Sequence, residues 1–263
     1  MPGVAQPSDE YDAIIVGGGP AGIFAALEFA RQGRLRVLLL EQGADISARR
    51  CPARDSGSCA HCPTCDITTG WGGAGAFSDG KLTLGTEVGG WLGEYLGEEA
   101  LRSLIRRVDD IYVEFGAPHR LYGDDAGKLD RWGDLAARHG LRLVRSPVRH
   151  MGTENAAAVL TAMRAHLEGK VEVRTDTEAV ELLTEPDLTA PDTAGPGAWT
   201  GQPEAGTAKA GATGTRAAGA RGARVAGVHT AAGDIYRAAA VIAAPGRQGS
   251  EWLTREAVRL GIP

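Results

Sequence analysis

The chain has 263 residues, 43% of them hydrophobic, with a formal net charge of -5 and a pI near 5.7. That is enough apolar material for one or two folded domains, and the acidic balance argues against nucleic acid or an anionic membrane surface as a partner. No apolar run approaches the ~20 residues that a bilayer-spanning helix needs, and no basic segment followed by a signal-peptide core opens the chain.

A cytoplasmic protein is therefore expected. Its four cysteines then read as thiols, metal ligands or redox groups rather than structural disulfides.

In chain order, residues 1–10 are polar, with two prolines, and read as a disordered lead-in. Ala13 to Val16 is a short β-branched apolar run, which predicts a buried strand. Gly17, Gly18 and Gly19 break it. A helix is expected from Pro20, with Ile23, Phe24, Leu27 and Ala30 on one face and Gly33 as its stop. A second strand, Val37 to Leu40, ends at Glu41.

Gln42 to Gly90 has little periodicity. Helical spacing returns over Gly97–Phe115 and Lys128–His139, followed by a short strand at Leu141–Val144 and a helix from Thr153, read as its cap, to Leu167. Strands are then expected at Val171–Thr175, Ala179–Leu183, Arg224–Thr230, Ile235–Ala238 and Val241–Ala244, with a final helix over Ser250–Leu260. Between Glu185 and Gly222, Ala, Gly, Thr and Pro dominate, and such a segment buries too little to offset its ordering entropy.

The first 30 or so residues after Tyr11 therefore form a βαβ unit around G17-x-G19-x-x-G22. Gly17 lets the chain turn off the strand, Gly19 admits a pyrophosphate close to the backbone, and Gly22 lets helix and sheet approach. Pro20 and Ala21 open a helix whose free N–H groups and positive dipole end favour phosphate. Glu41, 19 residues after Gly22 and followed by Gln42, stands where a carboxylate accepts hydrogen bonds from a ribose diol and repels a 2′-phosphate. The fingerprint alone permits FAD or NAD.

Four further clusters carry chemistry. Gly70, Gly72, Gly73, Gly75 and Gly80 leave backbone unshielded in a loop that can lie against a planar ring or cradle an anion, with Trp71 and Phe77 as stacking or core residues. Cys51, Cys59, Cys62 and Cys65, spaced C-x7-C-x2-C-x2-C, suit an iron–sulfur or zinc centre, a redox pair beside a flavin, or plain reduced thiols, with His61 as an alternative ligand; no metal is assigned. Arg149 and His150 are candidates for a substrate carboxylate and a proton shuttle, or for a salt bridge and a surface histidine. Arg49, Arg50 and Arg54 either neutralise phosphates or are solvated. No catalytic acid or base is assigned.

With GGGPAG and the terminal Glu41, this unit resembles the two-dinucleotide-binding-domain flavoproteins, which bind FAD. The helix, VEVRT strand, β-meander and AVIAAPG strand are similar in order to the FAD-binding fold. In that fold the AVIAAPG-like strand passes near the diphosphate, and Val180 falls where backbone meets the adenine. The segments RRCPARDSGSCAHCPTCDITTGWGGAGAFSDGKLTL, FGAP, SPVRHMGTEN and APGRQGSEW resemble a family of bacterial FAD-dependent dehydrogenases across Tyr11 to Ile262. The resemblance implies bound FAD, with Gly73, Pro245 and Gly246 bordering the flavin. Family members continue past the point equivalent to Pro263, so a C-terminally truncated chain is expected.

The expected fold is α/β: a FAD/NAD(P)-binding, Rossmann-like three-layer fold with a β-meander. It comprises residues 9–263, with an inserted cysteine- and glycine-rich loop plus helical region at 42–150 and a low-complexity disordered insertion at 185–222. The expected function is an FAD-dependent oxidoreductase acting on a small molecule, with NAD(P)H as a candidate electron donor. The alternatives are a non-catalytic flavin-binding fragment or partner-dependent subunit, and an NAD-dependent dehydrogenase. Substrate and oligomeric state are not legible in the sequence.

Overall fold

The computed structural model describes residues 10–185, 188 and 224–262; the expected lead-in before Glu10 and nearly all of the low-complexity segment lie outside them. The chain begins β1 (Glu10–Val16), α1 (Pro20–Gln32) and β2 (Val37–Leu40). β2 is buried throughout, as is β1 from Ala13 on, which fits their unbroken apolar runs: parallel strands are covered on both faces. Pro20 occupies the first turn of α1, and Gly33 ends it in the left-handed conformation with its N–H donating to the Phe29 carbonyl.

The middle of the chain contributes α2 (Ala53–Ser56), a 3-10 turn (Gly73–Phe77), β3 (Lys81–Thr83), α3 (Leu92–Leu96), α4 (Glu98–Glu114), β4 (Leu121–Tyr122), α5 (Ala126–Arg138) and β5 (Val148–His150). The remainder is α6 (Thr153–Leu167), β6 (Glu172–Arg174), β7 (Ala179–Thr184), β8 (Val225–Thr230), β9 (Ile235–Ala243) and α7 (Ser250–Leu260).

The main sheet runs β6-β2-β1-β9-β8-β7. Its first four strands are parallel, and β9, β8 and β7 form the antiparallel meander. Alternation along β1 and β2 divides the core. Ala13, Ile15, Val37 and Leu39 pack with α1 and α6, while Ile14, Val16, Leu38 and Leu40 pack with Leu182, Val228 and Tyr236 of the meander and with Trp252 and Leu260 of α7. The sheet thus lies between α1 and α6 on one face and α7 on the other, which makes three layers. Ile14 and Ile15 are fully buried on opposite faces, each contributing roughly 1.5–3 kcal/mol. A smaller antiparallel sheet, β3-β5-β4, stands apart from the main one.

Three local expectations are corrected. The two strands expected at 235–238 and 241–244 are one, because β1 offers a continuous edge and pairs with β9 from Glu10↔Arg237 to Val16↔Ala243. Leu141–Val144 forms no strand; the pairing goes instead to Val148–His150, which meets Lys81–Thr83 and Leu121–Tyr122. Thr153 is the first helical residue of α6, and Gly152 stands at the N-cap.

Candidate cofactor site

A groove of about 740 Å³ opens at the carboxyl ends of β1, β2 and β9, the place where open α/β sheets bind ligands. It brings together Gly17, Gly19, Pro20, Glu41, Gln42, Gly73, Pro245 and Gly246. Of the remaining expected residues, Gly18 and Gly22 do not line it but pack behind it, against Glu41 and the Gly17 carbonyl; Ala21 lines a neighbouring pocket, and Val180 lies outside with its carbonyl accepting from Trp252 Nε1 at 2.8 Å. The neighbours Thr177, Glu178 and Ala179 line the groove in its place.

The turn after β1 leaves no room for side chains except toward the groove. A Cβ on Gly17, which sits at φ 110°, would fall 2.2 Å from the Ala244 carbonyl oxygen, and one on Gly22 1.8 Å from that of Gly17. A Cβ on Gly19 would meet nothing within 4 Å, so this glycine faces the open cradle. The first turn of α1 leaves N–H groups without intrahelical acceptors, and no side chain caps them. An anionic diphosphate fits such a cradle.

Glu41 is only 5% exposed, and its carboxylate is occupied by the backbone. Oε2 accepts from Gly18 N at 2.6 Å; Oε1 accepts from Gly43 N at 2.9 Å and Gly70 N at 2.8 Å. Glu41 therefore ties the phosphate-type turn to the glycine-rich loop while still lining the groove. Gly72 N donates to the Gly18 carbonyl at 2.8 Å and Trp71 N to that of Ala44 at 3.0 Å, completing the clamp.

Arg49 braces the same loop from behind. It is 5% exposed, and its guanidinium donates to the carbonyls of Asp66, Trp71 (2.7 Å) and Gly73 (2.9 Å). Burial pulls its pKa down, opposed by Glu41 and Asp66, and an arginine stays charged regardless. Phe77 lies between Arg49 and Arg54, at 4.8 and 4.9 Å. Trp71 is a core residue, fully buried and donating through Nε1 to the Leu160 carbonyl. Sequence reasoning missed Arg49's role, since nothing local announces that its acceptors lie 17 to 24 positions on.

Arg149 is a strut. It pairs in bidentate fashion with Asp109 at 2.5 and 2.7 Å and donates to the Pro118 carbonyl, joining β5 to α4 and to the turn after it. His150 points the opposite way along the strand and is exposed, edge-on to Tyr122. Cys59 and Cys62 are exposed, Cys51 and Cys65 partly so, and among the described residues no three His, Cys, Asp or Glu side chains converge as metal ligands. Backbone hydrogen bonds from Ile67 and Thr68 and the Thr68 hydroxyl hold the Cys65 thiol below its usual pKa. No described helix is long and apolar enough to cross a membrane.

Residues 12–58 match the family described as FAD binding domain. An uncharacterized protein of Clostridium beijerinckii is 44% identical over 71 residues, 27% of this chain and 13% of that protein. Among solved structures, glycine oxidase from Geobacillus kaustophilus is similar over 97% of this chain and 59% of its own, at 16% identity and a TM-score of 0.47. The 3-ketosteroid-delta4-(5alpha)-dehydrogenase from Rhodococcus jostii is similar over 91% of this chain and 46% of its own, at 19% identity and a TM-score of 0.46. The chain thus spans 13% of the curated relative and about half of these solved chains. The matched segment is the one that carries the glycine fingerprint, in line with the resemblance to flavoproteins.

Proposed function

We propose that the protein is an FAD-dependent oxidoreductase of the cytoplasm that passes a hydride or electrons between a small molecule and bound flavin. The observation that carries this reading is the single groove that gathers the Gly17–Gly19 turn, Glu41, Gly73 and Pro245–Gly246, within a chain whose residues 12–58 match FAD binding domains. In this reading the N-terminus of α1 with Gly19 holds the diphosphate, and Glu41 accepts from the adenosine ribose while keeping its backbone bonds. Gly73 and Gly246 let the flavin lie against bare backbone, and Arg247 and Arg255, exposed on the groove wall, offset phosphate charge. The flavin, when bound, supplies the redox chemistry; the chain positions it and excludes water on one side.

The domain division follows the same reading: an FAD-binding body over 9–263, interrupted by an insertion at 42–150 that carries the small sheet. The visible spectrum of the purified chain, with and without added FAD, tests the proposal. Flavin bands that bleach on adding NADH or NADPH support an enzyme with a nicotinamide donor. Bands that persist leave a flavin-binding protein without that donor. A colourless chain that binds NAD and not FAD refutes the reading.

A further inference from the structure

A second cavity, of about 500 Å³, lies beside the groove and shares Pro20 and Gly75 with it. Its walls come from α1, the 3-10 turn, β3, α4 and α6, and they are apolar: Phe24, Leu82, Val108, Met151 and Leu160. The polar side chains around it are otherwise engaged. Lys81 pairs with Asp79 at 2.7 Å, and the Ser78 hydroxyl donates to the Gly75 carbonyl and accepts from Gly80 N.

Tyr112 is the exception. It is 8% exposed and lines the cavity, its ring 5.3 Å from that of Phe24, and its hydroxyl makes no hydrogen bond among the described residues. The phenol is left to solvent that enters the cavity, so a ligand acceptor can take the place of water on it. The volume falls in the range of small-molecule sites, which are typically apolar with few polar anchors.

We propose that this cavity binds the substrate: a neutral, largely apolar small molecule presenting one hydrogen-bond acceptor, such as a carbonyl oxygen, to the Tyr112 hydroxyl. The assignment rests on the oxidoreductase reading, since the shared wall at Pro20 and Gly75 is what sets the bound molecule next to the flavin groove. Burial raises the Tyr112 pKa above its usual value, so the phenol stays protonated and able to donate across the physiological range. The lining disfavours a carboxylate, which would lose hydration against apolar walls whose one cation, Lys81, is paired with Asp79.

Binding is tested on the full 263-residue chain without flavin, by saturation-transfer NMR with cyclohexanone and acetophenone as neutral probes and cyclohexanecarboxylate as the anionic control. Both ketones are expected to receive saturation and the carboxylate none. Tyr112→Phe should weaken the ketones roughly 3- to 10-fold, the effect of one hydrogen bond. Val108→Trp, at a partly exposed position on the rim, should abolish the signal, with circular dichroism melts confirming that both variants fold.

Ketone signals unchanged by both substitutions, or no ketone signal in the folded chain, overturn the proposal, as does equal binding of the carboxylate. A chain that stays colourless with FAD yet binds ketones in a Tyr112-dependent way refutes the flavin reading and leaves the pocket standing. A yellow chain that binds neither ketone refutes the pocket alone.

Discussion

Replacing Glu41 by Gln separates two roles that its position combines. The carboxylate accepts three backbone N–H bonds, from Gly18, Gly43 and Gly70, at 2.6 to 2.9 Å and only 5% exposed. A Gln amide has one acceptor oxygen. In its better orientation that oxygen keeps Gly43 and Gly70, while the NH2 faces the Gly18 N–H, donor against donor. One charge-assisted bond, worth about 1.5–3 kcal/mol, is lost, and the two that remain become neutral and weaker. The expected cost is about 2–4 kcal/mol of folding stability, or a fall in Tm of roughly 5–15 °C for a chain of this size. Thermal and urea unfolding without flavin measure it. If Glu41 serves only to hold a ribose, Glu41→Gln will melt like the parent without flavin and differ only in how much added FAD stabilises it; that result refutes the clamp.

Other expectations follow from the same geometry. Gly22→Ala puts a methyl 1.8 Å from the Gly17 carbonyl oxygen and should prevent the βαβ unit from packing, seen as loss of cooperative unfolding. Gly19→Ala, with nothing within 4 Å, should fold with a near-parental Tm yet bind FAD at least roughly tenfold more weakly by spectral titration, since its methyl enters the cradle. Arg149→Met strands the Asp109 carboxylate, whose side chain is 14% exposed, and should cost about 3–5 kcal/mol in denaturant unfolding, whereas breaking a surface pair such as Arg102–Glu98 should leave the transition where it is. Cys65, with its folded-state pKa below the unfolded value, should react with iodoacetamide at lower pH in the folded chain than in urea, and Thr68→Val should shift that profile upward; peptide mass spectrometry reads both.

The βαβ unit was legible because everything that defines it is local: the apolar runs, the glycine turn, Pro20 at the helix start and Gly33 at its end. The meander was legible in kind and misjudged in detail. Ala239 and Ala240 read as a gap between two strands, yet the pairing of β1 with β9 runs on across them. Leu141–Val144 had the better alternation but found no partner edge, whereas Val148–His150 did.

The groove's glycines and Glu41 were expected at the site. That Glu41 and Arg49 hold the Gly70 loop was not, because their partners are backbone groups, and backbone has no signature in sequence. Arg149 read either as a carboxylate binder or as half of a salt bridge, and it is the second: Asp109, 40 positions away, takes two of its three guanidinium nitrogens.

The clamp around Glu41 bears on the order in which the protein assembles. Its ties join three segments, 17–19, 41–43 and 70–73, with separations of 23 residues from Gly18 to Glu41 and 29 from Glu41 to Gly70. Such contacts require loop closure across the whole helix and the cysteine-bearing segment, so they form after local helix and strand structure. Helical ellipticity should therefore recover before nucleotide binding on refolding, and a peptide ending near Gly43, though it contains the entire glycine fingerprint, should lack a finished cradle.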